Sequence, residues 1–253
     1  MKTALITGAT SGIGEEFAKR FAKMGYRLIL VGRREERLKE LSKSFDVPTK
    51  IIVADLSKEK ECAMLLKKVA KVKIDVFINN AGFGAAGNFL ETDLKKEISM
   101  IHVNDIAMHI LFKGILRKMQ KENAGTILNV CSSAGLLPAG PYMATYYATK
   151  AYMVSLTRAV AQELKEMGSS VYVCALCPGP VDTEFNQNAD VVFSLKGISV
   201  KQCVREAFEG MSKHRLIIVP STTMKLAMFA QKFLPMDILM VLTARQQKKK
   251  IEQ

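Results

Sequence analysis

Two side chains in the segment ATYYATKAYMVSLTRAV have the types and spacing to pass a proton. Tyr146 and Lys150 stand four residues apart where apolar positions recur with helical period, so both project from one face. A phenol near pKa 10 is a poor donor and a worse base at neutral pH, and a neighbouring ammonium lowers that value by stabilising phenolate. Tyr147 competes for the role, but the residue four on is Ala151, which carries no charge. Upstream, the apolar run TILNVCSSAG ends in Ser132 and Ser133. A hydroxyl at the end of a buried strand can hold a carbonyl beside the phenol, although two serines before Ala-Gly equally cap or turn a chain. Asn104 in IHVND sets a polar amide at the start of an otherwise apolar helix, as a cap, a kink or a further catalytic group.

A second constellation suits a phosphate. ALITGATSGIGEEFAKRF places Gly8, Gly12 and Gly14 between an apolar strand and an amphipathic helix. Gly8 allows a tight turn, Gly12 lets backbone approach a diphosphate, and Gly14 lets helix pack on strand, while the helix N-terminus offers N–H groups and a positive dipole end. About 20 residues on, NAD binders carry a carboxylate for the ribose hydroxyls; this chain has Val31-Gly32-Arg33-Arg34 instead. A carboxylate would repel a 2′-phosphate, whereas a guanidinium grips one with paired donors. The expectation is NADP rather than NAD, with Arg33 ahead of Arg34. The alternative is that both arginines only open the charged helix that follows.

These groups need a frame. Short apolar runs at Thr3–Thr7, Leu28–Val31, Lys50–Val53, Val76–Asn79, Thr126–Cys131, Val171–Leu176 and Leu216–Val219 alternate with helix-length stretches. Fully apolar strands alternating with helices predict parallel strands covered on both faces: a doubly wound, seven-stranded α/β sheet of Rossmann type. With no Pro/Ser-rich linker and no repeat, residues 1–253 read as one domain. Residues from 178 to about 198 lack periodicity and read as a substrate loop; 220–253, rich in Met and Phe and interrupted by Pro235, reads as a substrate or interface segment.

Composition narrows the classes further. With 49% hydrophobic and 24% charged residues, collagen-like, low-complexity and disordered chains are excluded. Five scattered cysteines make no disulfide scaffold, and three histidines leave little for a metal centre. His102 and His109 could share a helix face, but two ligands are not a site. Cys174 and Cys177 form a lone C-x-x-C at the end of a strand, where residues three apart face opposite sides. The net charge of +13 favours anionic partners, but no zinc-finger, helix-turn-helix or ribonucleoprotein pattern points to nucleic acid. MKTALITGAT does not read as a secretory leader, and no apolar run reaches the roughly 18 residues of a membrane span. A cytoplasmic protein is expected, with peripheral membrane contact of the basic C-terminal segment as the alternative to substrate or subunit packing.

TGATSGIG at 7–14, Asp55, NNAG at 79–82, Asn104, Ser133, YxxxK at 146–150 and PGPVDT at 178–183, in that order, resemble the short-chain dehydrogenase/reductase family from Thr3 to about Val219. The interval of thirteen from Ser133 to Tyr146 is the family's usual one and selects Ser133 over Ser132. The resemblance implies Tyr146 as general acid/base and Lys150 lowering its pKa and holding the nicotinamide ribose. Ser133 would orient the carbonyl, and Asn104 would fix a water that relays protons to Lys150. Gly8, Thr10, Ser11, Gly12, Ile13 and Gly14 would bind the cofactor's phosphates, Asp55 and Leu56 would meet the adenine, and Asn80, Ala81 and Gly82 would line the adenine-ribose side. Pro178, Gly179, Val181 and Thr183 would contact the nicotinamide. One departure stands out: many NADP-using members carry a basic residue inside the glycine loop, where this chain has Thr10-Ser11. The implied activity is NADP(H)-dependent hydride transfer to or from a ketone or secondary alcohol of steroid, bile acid or 3-oxoacyl type, in a homodimer or homotetramer. Phe83, Leu136, Met143 and Phe185 are pocket candidates by nearness to the motifs, and each could equally be core. The rival reading is a nucleotide-sensing protein that kept the fold and lost the chemistry, against which the intact Asn104, Ser133, Tyr146, Lys150 set argues.

Overall fold

Short apolar runs flanked by turn formers become β1 (Thr3–Thr7), β2 (Arg27–Gly32), β3 (Thr49–Val53), β4 (Val76–Asn79), β5 (Thr126–Val130), β6 (Tyr172–Leu176) and β7 (Ile217–Ile218). The computed structural model of the protein describes residues 1–183 and 197–248. Neighbouring strands are all parallel, in the order β3-β2-β1-β4-β5-β6-β7, so the seven-stranded doubly wound sheet is as expected. The last strand is shorter than its apolar run: at the sheet's edge Ile217 and Ile218 pair in register with Ala175 and Leu176 of β6.

All five residues of β1 are buried, because helices cover both faces. One face carries α1 (Gly12–Lys23), α2 (Glu35–Lys43) and α7 (Val200–Ser212). The other carries α3 (Glu59–Lys68), α5 (Met108–Glu122) and the later turns of α6 (Ala144–Glu166). On the first face the Phe208 ring lies 5.0 Å from Phe21 and 5.7 Å from Phe17, centroid to centroid. Truncating Phe21 to Ala would cost about 3–5 kcal/mol. Cys174 packs into this face and Cys177 into the opposite one, so the C-x-x-C thiols point apart; Cys177 meets Cys131 of the neighbouring strand end instead.

The strand order reverses at β1, and such a reversal opens a crevice between β1 and β4 at their carboxyl ends. Thr7 ties the two strands there: its Oγ1 accepts from the amides of Asn80 (2.9 Å) and Ala81 (3.1 Å), while Asn80 Nδ2 donates to Thr7 O (2.9 Å). Deeper in, Asn79 Nδ2 donates to Met108 O (3.0 Å) and Asn129 Oδ1 (3.0 Å), and Asn129 Nδ2 donates to Thr157 Oγ1 (3.0 Å) on α6. A buried amide without such partners costs about 1–3 kcal/mol, so this chain of amides dictates where α5 and α6 sit. Before α5, α4 (Leu94–Ile101) passes through a π-helical turn at His102–Ala107. The C-terminal segment folds as α8 (Thr222–Ala230), a 3-10 turn (Gln231–Phe233), a break at Pro235, and α9 (Met236–Lys248). Among the described residues no helix is long and apolar enough to cross a membrane.

Candidate active site

The carboxyl ends of the central strands open onto a cleft of about 860 Å³. From the turn between β1 and α1 it takes Gly8, Thr10, Ser11, Gly12 and Ile13, with Gly14 behind them. Gly12 has φ +52°, left-handed backbone that a side chain resists. It begins α1 at the cleft wall, so the unpaired N–H groups of the helix's first turn face a ligand. At Gly14 a Cβ would run into Gly8 O, so α1 can lie this close to its own loop only with glycine there. The result is a backbone-lined cradle that fits a diphosphate.

Arg33 and Arg34, at the end of β2, line the same end of the cleft. Arg34 is braced on the glycine loop: Nη2 donates to Thr10 O (3.0 Å) and Thr10 Oγ1 (3.1 Å), and Nε to the same hydroxyl (3.3 Å). A guanidinium from β2 thus stands where the loop itself has no basic residue. Burial works against the charge of Asp55, yet bonds from Ser57 N (3.2 Å) and Oγ (2.8 Å), with Arg33 and Lys58 nearby, hold its carboxyl below the ordinary value. Asp55, Leu56, Ala81 and Gly82 line the cleft. Asn80 lines it too, but its carboxamide turns back to Thr7 O and Gly8 O (3.1 Å).

At the other end α6 presents Tyr146 and Lys150 on one face, both buried. Lys150 Nζ donates to Val130 O (3.3 Å) and stands 5.8 Å from the centre of the Tyr146 ring. Burial lowers the Lys150 ammonium's pKa, opposed by Cys131, Asp105 and Cys177. Burial likewise dominates at Tyr146 and pushes the phenol well above its ordinary range, against a hydrogen bond shared with Ser132.

Both serines stand at this end of the cleft. Ser132, extended at φ −167° and ψ 158°, caps the 3-10 turn Ser133–Leu136 and turns its hydroxyl to Tyr146. Ser133 lines the cleft one residue on, its amide donating to Pro178 O (2.8 Å).

Asn104 is fully buried in the π-helical turn and does not line the cleft. Its Oδ1 accepts from Phe83 N (3.0 Å), and its Nδ2 donates to Phe83 O (2.9 Å) and Thr149 Oγ1 (3.1 Å). So engaged, the carboxamide ties the π-helical turn to the chain at Phe83 and to α6 at Thr149. Beside it, burial pushes the Asp105 carboxyl up to about 7, against the pull of Lys150.

Pro178, Gly179, Val181 and Thr183 line the cleft from the end of β6, and Phe83 and Met143 line it as well. Leu136 does not; it packs beside Met108 and Met153, and Leu137 takes the place in the wall, because the 3-10 turn rotates its last residue inward. Phe185 and most of the expected substrate loop lie outside the described residues. From the C-terminal segment, Met224, Met228, Leu239, Leu242, Thr243 and Gln247 line the substrate end; no local pattern singled them out. His109 Nδ1 lies 2.6 Å from Tyr152 Oη, and among the described residues no three metal-binding side chains gather.

The sequence model of the family described as short chain dehydrogenase matches residues 2–191. An uncharacterised oxidoreductase of Staphylococcus epidermidis is 34% identical over 192 residues, covering 75% of this chain and 82% of that one. Among solved structures, a short-chain dehydrogenase from Sphingobium yanoikuyae in complex with NADPH superposes with a TM-score of 0.83 at 29% identity, over 92% of this chain and 93% of that one. A 7beta-hydroxysteroid dehydrogenase superposes with a TM-score of 0.84 at 26% identity, over 96% of each chain.

Proposed function

This chain belongs to the short-chain dehydrogenase family, and from that membership we propose that it is an NADP(H)-dependent carbonyl reductase or alcohol dehydrogenase with an apolar or amphipathic substrate of steroid, bile acid or 3-oxoacyl type. The observation that carries the reading is the meeting of Tyr146, Ser133 and Lys150 within one cleft that also holds the glycine cradle. A bound nicotinamide cofactor supplies or accepts the hydride. The N–H groups of the glycine loop would hold its diphosphate, Asp55 and Leu56 its adenine, Lys150 its ribose, and Pro178, Gly179, Val181 and Thr183 its nicotinamide. Arg33, with Arg34 braced on Thr10, supports NADP over NAD: two guanidiniums frame the place for a 2′-phosphate, and Val31-Gly32-Arg33-Arg34 brings no carboxylate to repel it.

Ser133, with Ser132 beside it, orients the carbonyl oxygen. Tyr146 gives its proton to that oxygen as negative charge grows there during reduction, and takes it back in oxidation. Lys150 holds the phenol's setting, and Asn104 keeps Phe83 and Thr149 in place beneath it. A homodimer or homotetramer in the cytoplasm, without nucleic acid, completes the proposal. The test is NADPH oxidation against a panel of apolar ketones. Turnover of at least one, faster with NADPH than with NADH, is expected; cofactor binding with no turnover on any carbonyl would favour a nucleotide sensor.

A further inference from the structure

Tyr147 has a partner that its chain neighbours do not suggest. Gln247 lies on α9, 100 residues away and only 2% exposed, and its Nε2 donates to Tyr147 Oη (2.5 Å). The other end of that carboxamide, Oε1, is buried with no hydrogen-bond partner. A buried acceptor left unpaired costs about 1–3 kcal/mol, and native folds keep few of them. Gln247, Thr243, Gln246 and Tyr147 all line the cleft, as a polar corner in a wall that α8 and α9 otherwise build from Met224, Met228, Leu239 and Leu242. The corner adjoins the chemistry: the rings of Tyr146 and Tyr147 stand edge to face with centroids 6.3 Å apart.

The charge of the corner narrows what it can take. The charged side chains lining the cleft, among the described residues, are Arg33, Arg34, Asp55 and Lys150, and none comes from α8 or α9. An ionised substrate tail placed here would lose its water without gaining a counter-charge. A neutral hydroxyl would not, since it donates to one partner and accepts from another. Resting on the carbonyl-reductase reading, we propose that Gln247 is the specificity residue of the substrate end. The substrate is an apolar ketone or alcohol with a second, un-ionised hydroxyl away from the reacting carbon, and that hydroxyl donates to Gln247 Oε1. Tyr147 is the positioning residue that holds the carboxamide for it.

Binding and turnover test this separately. A steroid mono-alcohol, and diols in which a second hydroxyl is walked around the ring system, are titrated calorimetrically into the native protein, and the matching ketones are assayed with NADPH. At least one diol is expected to bind about 10-fold tighter than the mono-alcohol, with KM of its ketone lower by a similar factor and kcat little changed. Gln247→Leu is expected to erase that preference, so that diol and mono-alcohol bind within about 2-fold of each other and their ketones have KM values equally close. Should Gln247→Leu fail to fold, Gln247→Met, nearer in shape, carries the same comparison. The proposal is overturned if no diol is preferred, or if the variant weakens mono-alcohol and diol equally, since Gln247 would then only dock α9. A preserved diol preference with no ketone turned over would leave the subsite standing and sink the reductase reading instead.

Discussion

The two ends of the cleft are made of different material. At the nucleotide end the walls are mostly backbone, from the glycine turn, the first N–H groups of α1 and the strand ends near Gly82, joined by the side chains of Arg33, Arg34 and Asp55. At the substrate end they are side chains, delivered by α8 and α9 and held by contacts such as Gln247 to Tyr147. A backbone-lined site recognises what nicotinamide dinucleotides have in common, and a wall of flexible Met and Leu side chains can be recut without disturbing it. Tyr146 and Lys150 sit at the seam, on a helix fixed to the sheet by the Asn79, Asn129, Thr157 chain.

If the ends are separable, changes at one should leave the other intact. The largest effect belongs to the seam: Tyr146→Phe should cut kcat by about 10²–10⁴-fold, with NADPH affinity by fluorescence titration within about 2-fold. A matching loss of affinity would show that the phenol belongs to the cofactor end. Next comes Gly14→Ala, whose Cβ would overlap Gly8 O. It should cost about 1–3 kcal/mol by urea unfolding and weaken NADPH at least about 10-fold; unchanged affinity would mean the cradle is not what holds the cofactor. Arg33→Asp should move the NADPH-to-NADH ratio of kcat/KM by roughly 10–100-fold with substrate KM unmoved, and an unchanged ratio would refute the 2′-phosphate assignment.

The smallest effect is on stability. The Asp105 carboxyl is raised from 3.8 to about 7 in the folded protein. A raised carboxyl favours the fold below its unfolded value, and that contribution is lost as pH rises through about 7. Asp105→Asn, which cannot ionise, should match the native protein near pH 4 and melt higher above pH 7, by roughly 2–4 °C for each kcal/mol of penalty removed. A gain that does not grow between those limits would rule out this titration.

What could be read from the chain follows the same division. The seven strands were legible because burial on both faces leaves unbroken apolar runs, and the cradle because helix packing and left-handed backbone demand glycine at particular offsets. Tyr146 and Lys150 were legible because a helix ties spacing to direction. Leu136 was not, since the end of a strand lacks that periodicity and the face a residue presents there depends on the turn that follows. Gln247 left no local trace: its meaning lies in Tyr147, which is distant in sequence and close only in the fold.

The π-helical turn at His102–Ala107 makes chain length itself a functional variable. Such a turn holds one residue more than the regular helix it interrupts. Deleting that residue would let α4 and α5 fuse with every backbone bond in place, so circular dichroism would register nothing amiss. The rotation between the two halves would nevertheless change by about 100°, and Asn104 would swing off Phe83. Here an apparent imperfection works as a vernier, setting the phase of one helix against the next.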